Sequence, residues 1–228
     1  MSWFTNYLSS SIGRKVTMAL TGLFLIVFLL VHLIGNLQLL KDDGGEAFNT
    51  YGYFMTHNPL IKSVSYGLYF FILFHTVQGL LLWRANRQAK GTSYAVRNNN
   101  PALTWAGQSM ALLGTLILFF IILHMGDFWW KMKSGVLENR TYEGHKEPIA
   151  DLYGRCAAAF HDPIYVGFYV LSMVVLYFHL SHGFQSAFQT LGWNHKKYTP
   201  LVKAIGMGYA ILVPLGFAII PIAFYFSK

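Results

Sequence analysis

Residues 165–193, YVGFYVLSMVVLYFHLSHGFQSAFQTLGW, decide how this chain is read. The run is long and apolar enough to cross a bilayer, which takes about 20 residues. Its second half nevertheless carries His179 and His182. An ionisable side chain inside hydrocarbon is costly and marks a functional site by default. Three further apolar runs hold one interior histidine each, at His32, His75 and His124. Any account of the protein has to explain four spans with an interior histidine.

The composition agrees with a membrane setting. Hydrophobic residues make up 54% of the chain and charged residues 11%, against about 25% charged in a soluble domain. Mean hydropathy is +0.41. The net charge of +8 does not point to nucleic acid, because little chain remains outside the spans to build a binding module. The single cysteine, Cys156, can form no intrachain disulfide. There is no C-x-x-C-H for covalent haem and no cysteine set for an iron–sulfur cluster. There is also no G-x-G-x-x-G for a dinucleotide. This chain alone is therefore not a flavin or iron–sulfur dehydrogenase.

From the opening stretch outward, five spans are expected, at about 16–40, 64–83, 102–130, 164–191 and 201–226. The fold class is all-α: an integral membrane bundle of five transmembrane helices, forming one domain over residues 1–228. Trp3, Phe4, Tyr7 and Leu8 share one helical face ahead of the first span, as in a segment lying in the membrane interface. The first apolar run is too long for a cleaved signal peptide, and no A-x-A-like site follows it. Pro101, Pro163 and Pro200 open three of the spans, where a missing N–H costs little. Pro214 and Pro221 lie inside the fifth span and are expected to kink it.

Nine of the 17 Lys and Arg residues fall on one side: Arg14, Lys15, Arg84, Arg87, Lys90, Arg97, Lys196, Lys197 and Lys203, with no acid among them. The other side holds the remaining cations and all nine acids. By the positive-inside rule the N-terminus is cytoplasmic and the C-terminus outside.

Depth follows from the helical rise of about 1.5 Å per residue. His32 lies about 26 Å along its span from Lys15, near the outer face, and His124 is close to the outer end of the third span. His75 is only about 14 Å from Arg84, and His179 and His182 lie past the midpoint of an inward-running span. The histidines thus sort into two pairs at two levels. Facing imidazoles make a six-coordinate electron-transfer site for haem iron, and cofactor sites in bundles are built from facing helices. Glycines give room beside the histidines: Gly79 at i+4 from His75, Gly183 at i+4 from His179 and Gly35 at i+3 from His32. His182 has the larger Ser186 at i+4, which favours His179 as the ligand and leaves His182 as a neighbouring donor. Arg14, Lys15, Arg84 and Arg87 lie at the inner rim, as topology determinants and candidates to pair with haem propionates. His57, His145, His161 and His195 fall in loops or at span edges and are expected to be solvated.

The segments SIGRKVTMALTG (11–22), HLIGNLQ (32–38), FHTVQG (74–79), ILHMGD (122–127) and HLSHGFQSAFQTLGW (179–193) carry a resemblance across essentially the whole chain. The sequence resembles the five-helix di-haem cytochrome b subunit of succinate:quinone oxidoreductases, the membrane anchor of succinate dehydrogenase and fumarate reductase. The resemblance implies two haem b groups. Their axial ligands would be His32 with His124 on the outer haem and His75 with His179 on the inner one. It implies a flavoprotein subunit and an iron–sulfur subunit docked on the cytoplasmic face of the inner membrane, and menaquinone as substrate near the outer haem. Some relatives use a carboxylate near the outer start of the second span for quinone protonation. Here no acid falls clearly there, and Glu46 and Asp127 are the nearest candidates.

Two other classes compete. Another membrane cytochrome b, of the hydrogenase or formate dehydrogenase type, would also take electrons from a docked iron–sulfur subunit. One ligand on each of four spans and the match through HLSHGFQSAFQTLG argue against it. A quinol:cytochrome c cytochrome b puts two histidines on each of two helices. A histidine-using transporter or channel predicts acidic partners within the spans, and only Asp127, at an edge, is available.

Overall fold

A computed structural model describes residues 3–90, 105–145 and 147–227. Pro101, Arg97, Lys146, Lys228 and the expected start of the third span at 102 lie outside the described residues. Among the described residues there are ten α-helices: α1 (Trp3–Ser9), α2 (Ser11–Asn36), α3 (Glu46–His57), α4 (Pro59–Lys90), α5 (Trp105–Gln108), α6 (Met110–His124), α7 (Lys131–Lys133), α8 (Leu152–Phe160), α9 (Pro163–Thr190) and α10 (Thr199–Phe226). The only strands among the described residues are β1 (Asn139–Arg140) and β2 (Ile149–Ala150), paired antiparallel. The fold is an all-α bundle. Among the described residues five segments are long and apolar enough to span a membrane: Ser11–Leu40, Pro59–Ala89, Met110–Lys133, Pro163–Thr190 and Thr199–Phe226. This is a multi-pass membrane protein.

Helix ends explain where the spans outrun the apolar runs. α2 begins at Ser11 because the Ser10 side chain caps it, accepting from the Gly13 N–H at 3.0 Å. α1 folds back on that first turn, where Trp3 stacks on Tyr7. A Cβ on Gly13 would meet the Tyr7 carbonyl, so only glycine allows this approach. α4 starts at Pro59 under an Asn58 cap that accepts from Leu60 and Ile61. It then runs past Arg84 through Ala85, Arg87, Gln88 and Ala89, residue types that favour helix. The Asp162 side chain caps α9, with Pro163 in the first turn. α10 is continuous through Pro214 and Pro221, both buried.

The third span is not one regular helix. Ser109 separates α5 from α6, and a π-helical turn, Met125–Trp130, follows His124 before α7. Such turns recur at functional sites.

α9 and α10 form the centre. Gly206 and Ala210 bring α10 close to α9, with the Phe184 ring lying where a Cβ on Gly206 would be. Ala210 is 0% exposed. Small residues at this spacing let membrane helices approach closely. Tyr209 donates to the Ile26 carbonyl at 2.5 Å, tying α10 to α2. Thr17, Thr21, Thr76, Thr115 and Ser172 return their hydroxyl protons to carbonyls four residues back, as polar groups in hydrocarbon must. α4 is peripheral: no residue in its most apolar window is buried by the rest of the chain.

A cap closes the end of the bundle where α2 and α6 finish. Residues 41–63 and 131–163 fall between the expected spans and carry most of the acids. They contain α3, α8 and the β1–β2 ladder. Asn49, 2% exposed, is its hub. Its amide donates to Tyr142 Oη at 2.7 Å and Asp151 Oδ1 at 2.9 Å, and its carbonyl accepts from the Tyr153 N–H at 2.9 Å. Arg140 pairs with Asp151 at 2.6 Å. Cys156 lies inside this cap, and burial pushes its thiol pKa up, which keeps it protonated and inert.

Candidate functional site

Four long helices each bring one histidine into the bundle, and the four meet as two pairs. His32 of α2 and His124 of α6 have ring centroids 5.8 Å apart with planes at 89°. His75 of α4 and His179 of α9 have centroids 6.4 Å apart with planes at 67°. The first pair lies toward the ends of α2 and α6 and is termed the outer level; the second lies toward the acid-free end and is termed the inner level. Thr21, which touches His75, lies 11 residues before His32 on α2, so the two levels are separated by about 16 Å along that helix. All four histidines are half-buried within the bundle.

At the inner level His75 Nδ1 lies 3.0 Å from Thr21 Oγ1. The Thr21 hydroxyl proton is already directed at the Thr17 and Met18 carbonyls. The oxygen therefore accepts, Nδ1 carries the imidazole proton, and Nε2 keeps a free lone pair. A second nitrogen held this way is the usual support of a metal-binding histidine. The inner level also contains the two buried side-chain polar atoms that lack a partner among the described residues, His179 Nδ1 and Gln78 Oε1. Gln78 is one turn from His75. An unmet buried polar atom costs about 1–3 kcal/mol, and two at one level mark a place where a further group would interact.

Glycines shape the inner level. Nothing lies within 4 Å of a Cβ position on Gly183. A Cβ on Gly22 would come 3.3 Å from His75 Cε1, and one on Gly114 3.8 Å from His179 Cε1. Gly79 is less open, with Met18 Cε at 3.2 Å. His182 points elsewhere, its ring filling the space over Gly107 of α5.

The outer level is packed by rings. Phe28 stacks on His32 at 5.2 Å, Phe217 lies at 5.6 Å, and Phe120 stacks on His124 at 5.5 Å. His124 Nδ1 is 3.2 Å from Tyr169 Oη. Asn36 sits over His32 on the next turn, donating to its carbonyl at 2.7 Å. Gly35 does not give His32 the clearance its spacing suggested, because the Tyr51 ring of α3 occupies that notch. Nothing in the local sequence announces a ring arriving from another helix.

The two carboxylates singled out from sequence lie at this end and differ. Glu46 is exposed in the first turn of α3. Asp127, on the π turn, has both oxygens engaged. Arg155 Nη2 reaches Oδ1 at 2.6 Å and Oδ2 at 2.5 Å, Lys131 reaches Oδ1 at 2.5 Å, and Tyr165 donates to Oδ2 at 2.5 Å. Sequence reasoning missed Arg155, which comes from α8, 28 residues away.

At the opposite end Arg14 is half-buried, while Lys15 and Arg84 are exposed. Lys15 lines a cleft of about 320 Å³ with Ser186, Gln189 and Thr190 from the end of α9. His57, His145, His161 and His195 are all exposed.

No protein-family model, curated protein or solved structure matches the chain.

The donor set itself limits what these sites can hold. Among the described residues no three His, Cys, Asp or Glu side chains group to bind a bare metal ion, which takes three or four protein ligands. Two histidines with nothing else suit an ion whose remaining positions are filled by a macrocycle. Imidazole–metal bonds of about 2 Å on either side of one ion separate two ring centroids by about 6 Å. Both pairs are at that spacing. The residues fit a haem at each level.

Proposed function

We propose that this chain is the di-haem cytochrome b anchor of a succinate:quinone oxidoreductase, the membrane subunit of a succinate dehydrogenase or fumarate reductase. The observation that carries the reading is two pairs of neighbouring imidazoles on four helices at two levels, with ring centroids 5.8 and 6.4 Å apart. His32 with His124 and His75 with His179 would hold the two haems. Bound there, haem would supply one-electron transfer, which no side chain of this chain can perform over such a distance. The protein fixes the imidazoles: Thr21 sets the tautomer of His75, and His182 stays over Gly107 as a neighbour rather than a ligand.

The identity of the redox partners rests on the resemblance of the histidine-bearing segments. In that reading a flavoprotein subunit and an iron–sulfur subunit dock at the acid-free end that carries Arg14, Lys15, Arg84, Arg87, Lys196, Lys197 and Lys203. That end faces the cytoplasm, with the N-terminus inside and the C-terminus outside an inner membrane. Menaquinone meets the chain at the capped end. Of the two carboxylates there, exposed Glu46 is the one free to exchange protons, since Asp127 is held by two cations and a tyrosine.

The test is purification of the membrane complex followed by a pyridine haemochrome assay. Two b haems per chain are expected, and one or none sinks the reading. Mass spectrometry of the co-purifying subunits checks the partners. A nickel or molybdenum subunit in place of a succinate-oxidising flavoprotein would move the chain to the hydrogenase or formate dehydrogenase class.

A further inference from the structure

The outer pair is connected to an ion cluster that the haem reading does not require. His124 Nδ1 lies 3.2 Å from Tyr169 Oη. Tyr169 is 7% exposed, and its ring stacks on Tyr165 with centroids 5.0 Å apart and planes at 19°. The Tyr165 hydroxyl, one turn before Tyr169 on α9, donates to Asp127 Oδ2 at 2.5 Å. Arg155 and Lys131 hold Asp127 from the other side. The cluster closes a loop, because Asp127 lies on the π turn that begins immediately after His124.

Direction is what gives this chain of contacts a function. An ionised carboxylate between two cations only accepts hydrogen bonds. Tyr165 therefore donates to Asp127, and its oxygen is left to accept from Tyr169. The Tyr169 oxygen is left in turn to accept from His124. That polarity requires the His124 proton on Nδ1 and frees Nε2 as the lone pair that a metal needs. Were the relay reversed, Nε2 would carry the proton and could not bind.

Resting on the haem reading above, we infer that Tyr169 is the positioning residue of the outer haem ligand. It fixes the tautomer and ring plane of His124, its own orientation being imposed by Asp127 through Tyr165. An acceptor on Nδ1–H raises the basicity of the imidazole, which stabilises the oxidised haem and lowers its potential.

The experiment is a redox titration of the intact complex with optical and electron paramagnetic resonance detection, comparing wild type with Tyr169→Phe. The variant keeps the ring and removes the acceptor. The outer haem is expected to shift to higher potential with an altered low-spin signal, while the inner haem keeps both. A Tyr169→Phe complex that holds both haems with an unmoved outer potential and signal overturns the inference, even if its thermal stability falls. Should Tyr169→Phe lose the outer haem, Tyr165→Phe decides. It leaves the His124 contact but cuts the link to Asp127, so a smaller shift of the same sign supports the relay and no shift overturns it. The wild-type spectrum separates the two levels of argument: without a bis-imidazole b haem at this level the haem reading itself falls.

Discussion

The two histidine levels hold the same chemical pair in different surroundings. The inner pair lies among glycines: Gly22 and Gly114 leave the imidazoles room, Gly183 opens on empty space, and two polar atoms stand without partners. The outer pair lies among rings, with Phe28, Phe120, Phe128, Phe217 and Tyr169 all against an imidazole. The inner level gains its space from backbone, which cannot move aside. The outer level gains order from side chains and from a polar cap behind them. The inner site should therefore be sensitive to added volume, and the outer site to loss of support.

The sharpest way to break this comparison is to remove ligands. His179→Ala or His75→Ala should remove one b haem from the spectrum of the purified complex and leave the other. His32→Ala or His124→Ala should remove the opposite one. His182→Ala should leave both, with at most a shifted potential. Loss of the inner haem from His182→Ala, with retention in His179→Ala, would exchange their roles and make the Gly183 clearance irrelevant.

Adding volume comes next. A Cβ at Gly22 falls 3.3 Å from His75 Cε1, tighter than ordinary contact, so the ring has to give by a few tenths of an ångström. Gly22→Ala should lower the inner haem occupancy several-fold and spare the outer haem. Gly22→Leu, which fills the level outright, should abolish it. Equal loss of both haems would show that the two levels are not independent.

The cap tests the other half of the contrast. Asn49→Ala strands the Tyr153 N–H and removes donors from Asp151 and Tyr142. Each unmet buried group costs about 1–3 kcal/mol. Thermal release of haem, followed at the two b bands, should fall in temperature for the outer haem first. Simultaneous release would mean that the cap supports the bundle as a whole.

How much of this was readable beforehand follows the same division. Spans of 18 or more apolar residues announce themselves, and the loop charges fixed the depth of each histidine well enough to pair them. Both signals are local. The cap was not readable. Asn49 and Asp151 meet across 102 residues, and nothing in EAFNTYGYFMTH sets a buried Asn apart from a solvated one. Asp127 looked like an edge carboxylate because its partner Arg155 arrives from a different element. Tyr51 in the Gly35 notch shows the limit of glycine as a signal: spacing locates a gap in a helix surface without telling what fills it.

The smallest expected effect concerns Thr21, and it separates the two levels most finely. Thr21 accepts from His75 Nδ1 at 3.0 Å, and its own proton goes to the Thr17 and Met18 carbonyls. That relay ends on a neutral backbone carbonyl, whereas the relay behind His124 ends on a carboxylate. A hydrogen bond between neutral groups is worth about 0.5–1.5 kcal/mol, against about 1.5–3 kcal/mol when one partner is charged. Thr21→Val keeps the shape of the buried side chain and removes only the acceptor. It should raise the potential of the inner haem, as Tyr169→Phe raises that of the outer one, but by less. A redox titration of the two variants side by side reads both shifts. A Thr21→Val shift as large as that of Tyr169→Phe would mean that the ion cluster adds nothing to the hydroxyl it holds. A shift of the outer haem by Thr21→Val would mean that the two sites, about 16 Å apart along α2, are coupled through the helix.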